Sequence, residues 1–234
     1  MQYLEAYPHG CTEQITSQTF PSILLSNRAE LALELSKRGD AKEGAKLAER
    51  DPRKLAQATL QRYLAQLRSR QTADGGFAAW PGNASDPFAT VYALHLLLEA
   101  SDRKLGVPQD MVQKANTYLQ GWLGHSEAAQ YHWRTRTQAA YLLTRQGLQL
   151  PGALANMREA WRKGQTGWRD DLGAVYLAAS YQLLKQEALA EELLQPAWAD
   201  LLDRTAKKTR RNTWDYYYDP IVHDSMLVHL VAKH

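Results

Sequence analysis

The only cysteine in the chain, Cys11, stands three residues before Gln14 in the run Tyr7-Pro8-His9-Gly10-Cys11-Thr12-Glu13-Gln14. The run reads as the start of a helix, and that spacing lets the Cys11 sulfur reach the Gln14 side-chain carbonyl within about one turn. If a thiolate attacks that amide and ammonia leaves, the product is a thioester that closes a small ring. Gly10 gives the backbone freedom to fold over the ring, and the N–H groups of a helix start favour negative charge nearby. The alternative reading of a lone cysteine is a small apolar filler without chemistry. One cysteine forms no internal disulfide, so disulfide usage says nothing here about compartment.

Helices must position that run, because nearly every apolar stretch recurs at three-to-four spacing and almost none alternates. Pro52, followed by Leu55, Ala58, Leu60, Tyr63, Leu64 and Leu67, predicts a helix with proline in its first turn. Asp86-Pro87 opens a strongly apolar helix through Val91, Leu94, Leu97 and Leu98. Further helices are expected over 108–123, 133–146, 152–162, 170–186, 187–204 and 220–234. Valine is sparse, and no β-branched runs stand out, so a sheet has little to build on. The class is all-α.

Composition narrows the function classes. The 234 residues fit one large domain or two small ones, and a chain of that length buries roughly 70–75% of its extended surface without disulfides. Hydrophobic residues at 44% and charged residues at 23% exclude a disordered or collagenous protein. Mean hydropathy is −0.51, and no apolar run approaches the ~20 residues of a membrane-spanning helix. The 28 basic and 25 acidic residues leave a net charge of +3, too weak a bias to argue for nucleic acid. Residues 1–6 lack the basic start and apolar run of a signal peptide, which leaves a cytosolic protein or a domain cut from a longer polypeptide.

The breaks between helices carry a second pattern. Trp80, Trp133, Trp168 and Trp214 each precede an apolar helix that holds a small residue beside tyrosine or leucine, at spacings of 53, 35 and 46 residues. Those are lengths of a helical hairpin repeat. Small residues let alternate helices approach in the middle of an array, with more charged helices outside, so stacked hairpins are expected, open as a solenoid or closed as a ring. The plainer reading is that tryptophans cap helix ends in any α protein. In Gln71-Thr72-Ala73-Asp74-Gly75-Gly76-Phe77-Ala78-Ala79-Trp80, Asp-Gly-Gly makes a tight turn that the two aromatics lock against the next helix. The segment resembles the glutamine-to-tryptophan turns of α/α-toroids, the fold of terpenoid cyclases, prenyltransferase β-subunits and complement-type thioester domains. Likeness of fold does not choose among those functions.

The run around Cys11 chooses. Gly10-Cys11-Thr12-Glu13-Gln14 closely resembles the Gly-Cys-x-Glu-Gln thioester motif of the alpha-2-macroglobulin and complement superfamily. Tyr7-Pro8-His9 before it, and Asp86-Pro87-Phe88 after the Gly75-Gly76-Phe77 turn, look most like bacterial alpha-2-macroglobulins. Pro21 resembles the proline kink of the first helix in these domains. The resemblance covers residues 1–234 as a single thioester-containing α/α-toroid domain of a much longer multidomain protein. Val231-Ala232-Lys233-His234 ends without a C-cap, so a toroid incomplete at its C-terminus is expected.

The resemblance implies a single-use covalent trap rather than a turnover enzyme. A protease cleaves a bait region elsewhere in such a polypeptide and the molecule rearranges. The acyl group of Gln14 then passes to a nucleophile of the attacking protease, often a lysine amine, and Cys11 leaves as a thiol. This is acyl transfer from a pre-activated electrophile, selective through effective concentration and dependent on excluding water beforehand. The partners implied are target proteases and neighbouring macroglobulin-like domains, with no cofactor, no metal, no nucleic acid and no direct membrane insertion. The location implied is the bacterial periplasm, the parent protein tethered to the inner membrane by an N-terminal lipid. In the complement branch a histidine redirects attack toward hydroxyls, and the matching region here falls near His125 or His132. Without such a histidine, direct reaction with amines is the default.

Two other classes compete. A toroid enzyme of the prenyltransferase kind needs zinc, and Asp219, His223, Asp224 and His229 cluster near the end, but the one cysteine is taken by the thioester motif. Asp219 before Pro220 reads more simply as an N-cap, with His223 and Asp224 facing solvent or an inter-helix contact. A cyclase wants an aspartate cluster, and Asp170-Asp171 offers an ordinary helix start. A non-covalent module of stacked hairpins explains the repeat and leaves the motif as coincidence. The basic stretch 204–211 is expected to be a solvated loop between helices, and the aromatic run 214–218 a packing or domain-contact element.

Overall fold

A computed structural model describes residues 10–27, 51–124, 133–164, 168–209 and 219–234. Nine helices run through them: α1 (Thr12–Leu25), α2 (Pro52–Arg68), α3 (Pro87–Asp102), α4 (Gln109–Gly124), α5 (Trp133–Arg145), α6 (Pro151–Lys163), α7 (Leu172–Leu183), α8 (Glu187–Lys207) and α9 (Pro220–Lys233). Aspartate before proline starts three of them. Asp51, Asp86 and Asp219 accept hydrogen bonds from Arg53 N–H (3.0 Å), Ala89 N–H (2.6 Å) and Ile221 N–H (2.7 Å), while proline in the first turn needs no donor satisfied. Among the described residues the only extended pairing is two isolated bridges, Gln71 with Phe77 and Ala78 with Ser85. None of the helices described is long and apolar enough to cross a membrane.

Burial sorts the helices as their sequences do. In α3, residues from Ala89 to Ala100 are buried on all sides except at Tyr92, and in α7 every residue from Leu172 to Tyr181 is buried. Helices apolar all round belong inside, flanked by helices with one apolar stripe. Such stripes are Ala56, Leu60, Tyr63, Leu64 and Leu67 in α2, and Leu154, Met157 and Trp161 in α6.

The chain divides into two compact units, Met1–Leu119 and Gln120–His234. In the first, α1 packs on both α2 and α3. In the second, α7 packs on α5, α8 and α9. The close approach of α5 and α7 depends on Gly173, where a Cβ would stand 2.3 Å from Nε1 of Trp133. Trp133 and Trp168 stack in parallel there, with centroids 4.5 Å apart and planes 3° apart. Asp171 caps α7 at Gly173 N–H (2.8 Å) and receives Nε of Arg134 on both carboxylate oxygens at 2.9 and 2.7 Å. The four tryptophans therefore do not share one role. Trp80 is 45% exposed, and Trp214, with the aromatic run 214–218, lies outside the described residues.

The basic stretch departs from expectation. Helix α8 runs through Lys207, so residues 204–207 are helical rather than looped. Arg204 is buried because Asp200, one turn earlier, takes its Nε at 2.8 Å and Asp224 on α9 takes its two terminal nitrogens at 2.9 and 2.8 Å. His223 is buried as well, its Nδ1 3.0 Å from Asp224, and of the two expected placements, solvent or an inter-helix contact, Asp224 takes the second through Arg204. The Arg204 hydrogen bonds hold the Asp224 carboxyl below the usual carboxylate range against the opposing effect of burial. Because the folded state binds its proton less readily than the unfolded state, the pair stabilises fully above that range and its contribution is lost as pH falls through it. Asp224→Ala should lower unfolding stability by about 1–3 kcal/mol at neutral pH, with the difference shrinking toward pH 3 in denaturant titrations.

Candidate functional site

Helix α1 begins with the residues whose spacing pointed to chemistry. Cys11 is its N-cap, with extended backbone at φ −63° and ψ 162°. Cys11 and Gln14 close a reciprocal capping box: the cysteine side chain lies over Gln14 N–H, and Gln14 Oε1 accepts from Cys11 N–H at 3.2 Å. A glutamine at the third helical position is bent back by that bond, which brings its carboxamide to the residue that bears the sulfur. Gly10, Cys11 and Gln14 are half-buried and Glu13 is exposed. The local field also suits the reaction. A species formed by sulfur attack on Cδ of Gln14 carries its negative charge on Oε1, where Cys11 N–H already donates at the positive end of α1.

The turn from Gln71 to Asp86 serves as the platform. Thr12 is fully buried; its N–H donates to Ala79 O at 2.9 Å and its hydroxyl to Ala78 O at 2.6 Å. Ala78 N–H in turn donates to Arg70 O at 2.9 Å. Gly75 takes φ +94°, and a Cβ there would stand 2.4 Å from the carbonyl oxygen of Lys114 on α4. Gln71 Nε2 bridges Gly75 O and Met111 O, each at 3.0 Å, which locks the turn to α4. Asp74 receives Ser85 Oγ at 2.6 Å, Gly76 N–H at 3.1 Å and the Thr72 hydroxyl.

Beneath the first turn lies a buried polar chain. Thr16 hydroxyl donates to Thr12 O at 2.6 Å and stands 3.0 Å from Tyr63 hydroxyl, so Tyr63 is the donor to Thr16. Burial pushes the Tyr63 phenol well above its ordinary range, against the effect of the Thr16 bond, so it stays protonated. Arg70 reaches under the same turn. Its Nη2 donates to Gly10 O, and its Nη1 to Gln66 O at 2.8 Å. On the outer side, Ser17 and Tyr92 hydroxyls are 3.0 Å apart, and Phe20 stacks on Tyr92 with centroids 5.3 Å apart. Burial raises the Tyr92 phenol, and the nearby Glu13 carboxylate adds to the effect.

Five residues singled out by sequence, from Gly10 to Gln14, thus meet in one helical turn, with Thr12 as the anchor to the platform rather than as a reacting group. His125 and His132 lie outside the described residues. Asp219 is an N-cap and Asp224 pairs with Arg204, and among the described residues no three histidine, cysteine or carboxylate side chains converge as a metal site. Arg70 and Tyr63 were not legible as site residues. Tyr63 belongs to an apolar stripe, and a basic residue just past a helix end reads as solvent-facing.

No family model matches the chain. Alpha-2-macroglobulin of Rickettsia conorii is 35% identical over 236 residues, which cover 99% of this chain and 11% of that protein. The solved structure of Salmonella alpha-2-macroglobulin reacted with methylamine matches with a TM-score of 0.73 at 22% identity, over 99% of this chain and 14% of that one. Trypsin-activated Escherichia coli alpha-2-macroglobulin matches with a TM-score of 0.71 at 22% identity, over 97% and 15%. The chain spans about a tenth of the length of the curated relatives it matches. The agreement in fold bears out the all-α, α/α-toroid class.

The platform yields two expectations. Gly75→Ala meets both a positive φ and a backbone carbonyl, so it should destabilise the protein by about 2 kcal/mol or more in thermal or denaturant unfolding. The carboxyl of Asp74 is opposed by burial yet held below its ordinary range by Ser85, Thr72 and Gly76. Its stabilising contribution is whole above that range and lost on acidification, so the stability gap between wild type and Asp74→Asn should narrow from pH 6 to pH 3.

Proposed function

This chain belongs to the bacterial alpha-2-macroglobulin family, and from that premise we propose that it is the thioester-bearing helical domain of a protein that traps proteases covalently. The observation that carries the reading is the reciprocal cap at α1, which brings the side chains of Cys11 and Gln14 together at a helix N-terminus. In ring closure, Sγ of Cys11 attacks Cδ of Gln14, the C–S bond forms, the C–N bond breaks and ammonia departs with the thiol proton. In transfer, an amine attacks the same carbon, the C–N bond forms, the C–S bond breaks and the thiol is released. Each molecule acts once, as an inhibitor and not as a turnover enzyme.

Support also comes from what the similar proteins do. The Salmonella protein is reacted with methylamine, a small amine of the kind such an acyl group would take. The Escherichia coli protein is activated by trypsin and by elastase, which supports proteases as the partners of the parent polypeptide. Neighbouring domains of the same polypeptide would keep water from the bond until cleavage.

Intact mass tests this directly. The natural polypeptide that carries this chain should be lighter than its sequence by one ammonia, should gain one methylamine, and should then expose one thiol that Cys11→Ala lacks. An unmodified mass in the full-length polypeptide, with no methylamine uptake, would sink the proposal. Direct aminolysis gives a second expectation: His125→Ala and His132→Ala should leave the preference for methylamine over glycerol unchanged, and a shift toward the amine in either would assign that histidine a part in the transfer.

A further inference from the structure

Among the described residues, Arg70 is a buried cation that no carboxylate meets. Only 8% of its surface is exposed, and no ion pair joins it among the described residues. Its terminal nitrogens meet two backbone carbonyls, of Gln66 and Gly10, and its Nε has no partner. Burial pulls the guanidinium below its ordinary value, and the groups whose charge opposes that pull are Cys11 and Tyr63. Tyr63 is sealed in the core and stays protonated, and the carbonyl that Arg70 holds belongs to Gly10, the residue bonded directly to Cys11. A buried, incompletely paired cation is expensive to keep, and it is favourable where negative charge develops during a reaction.

We propose that Arg70 is a positioning residue for the acyl transfer, fixing the chain ahead of Cys11 through the Gly10 carbonyl and holding positive charge beside the sulfur as the C–S bond breaks. The proposal rests on the thioester reading for its chemistry. When an amine attacks Cδ of Gln14, the electron pair of the C–S bond goes to sulfur and the surplus amine proton goes to water, which later protonates the thiolate. Charge accumulates at Sγ at that moment, and Arg70 is already in place with no reorganisation. Cys11 N–H donates to Oε1 of Gln14, and Arg70 holds the Gly10 carbonyl on the residue directly before Cys11, so positive charge stands on both sides of Cys11.

The test compares two alkylating reagents on Cys11 in the full-length polypeptide, opened first with methylamine, with the modified peptide followed by mass spectrometry. A cation beside the sulfur speeds anionic iodoacetate relative to neutral iodoacetamide, whereas a loosened structure speeds both alike. Arg70→Gln should lower the iodoacetate-to-iodoacetamide rate ratio by about fivefold or more, and Arg70→Lys should restore most of it. A ratio for folded Arg70→Gln within about twofold of wild type would overturn the proposal. If Arg70→Gln fails to fold, Arg70→Met, which leaves no polar group in the site, supplies the same comparison. Alkylation reads the free thiol whether or not the bond ever closed, so intact mass decides the thioester separately.

Discussion

The first turn of a helix leaves backbone N–H groups without internal partners, and a buried helix start must find them elsewhere. Helix α1 meets that requirement with the candidate site itself. Cys11 and Gln14 satisfy one another, and Thr12 sends its N–H and hydroxyl to Ala79 and Ala78. The carbonyl ahead of the turn, that of Gly10, is taken by Arg70. Capping is therefore both what starts α1 and what juxtaposes its sulfur and carboxamide. A serine at position 11 would make an equally good cap, so the cap alone does not call for a thiol. In the function proposed, the thiol adds acyl chemistry to a geometry that helix termini require anyway.

That economy extends outward. The Gln71–Asp86 turn offers its carbonyls at Ala78 and Ala79 because Gly75 fits flush against the α4 backbone and Asp74 gathers the turn's donors. Tyr63 and Thr16 fill the space below with a hydrogen-bonded pair that leaves no hydroxyl stranded. In the second unit the same logic appears without a reactive residue. Asp171 caps α7 and holds Arg134, and Gly173 lets Trp133 lie against the helix.

Much of this was legible in the residues. The three-residue step from Cys11 to Gln14 implied a shared turn, Asp-Pro pairs marked helix starts, and all-round apolar helices marked the inner positions. What stayed hidden depends on pairings distant in sequence. The stretch 204–207 looked like a solvated loop because Asp224, which neutralises Arg204, lies 20 residues on. Tryptophan spacing suggested one repeated role, yet Trp133 and Trp168 stack while Trp80 is open to solvent, a difference set by neighbours and not by position in a repeat. Arg70 was invisible for the same reason, its carbonyl partner at Gly10 being 60 residues earlier.

The bonds from Thr12 to Ala78 and Ala79 span 66 and 67 residues. During synthesis the N-terminal segment leaves the ribosome well before the turn that will hold it, so Cys11 first emerges as an ordinary thiol on an unanchored peptide. The first turn of α1, with its Cys11–Gln14 cap, is anchored through Thr12 only when the chain through Ala79 has folded back.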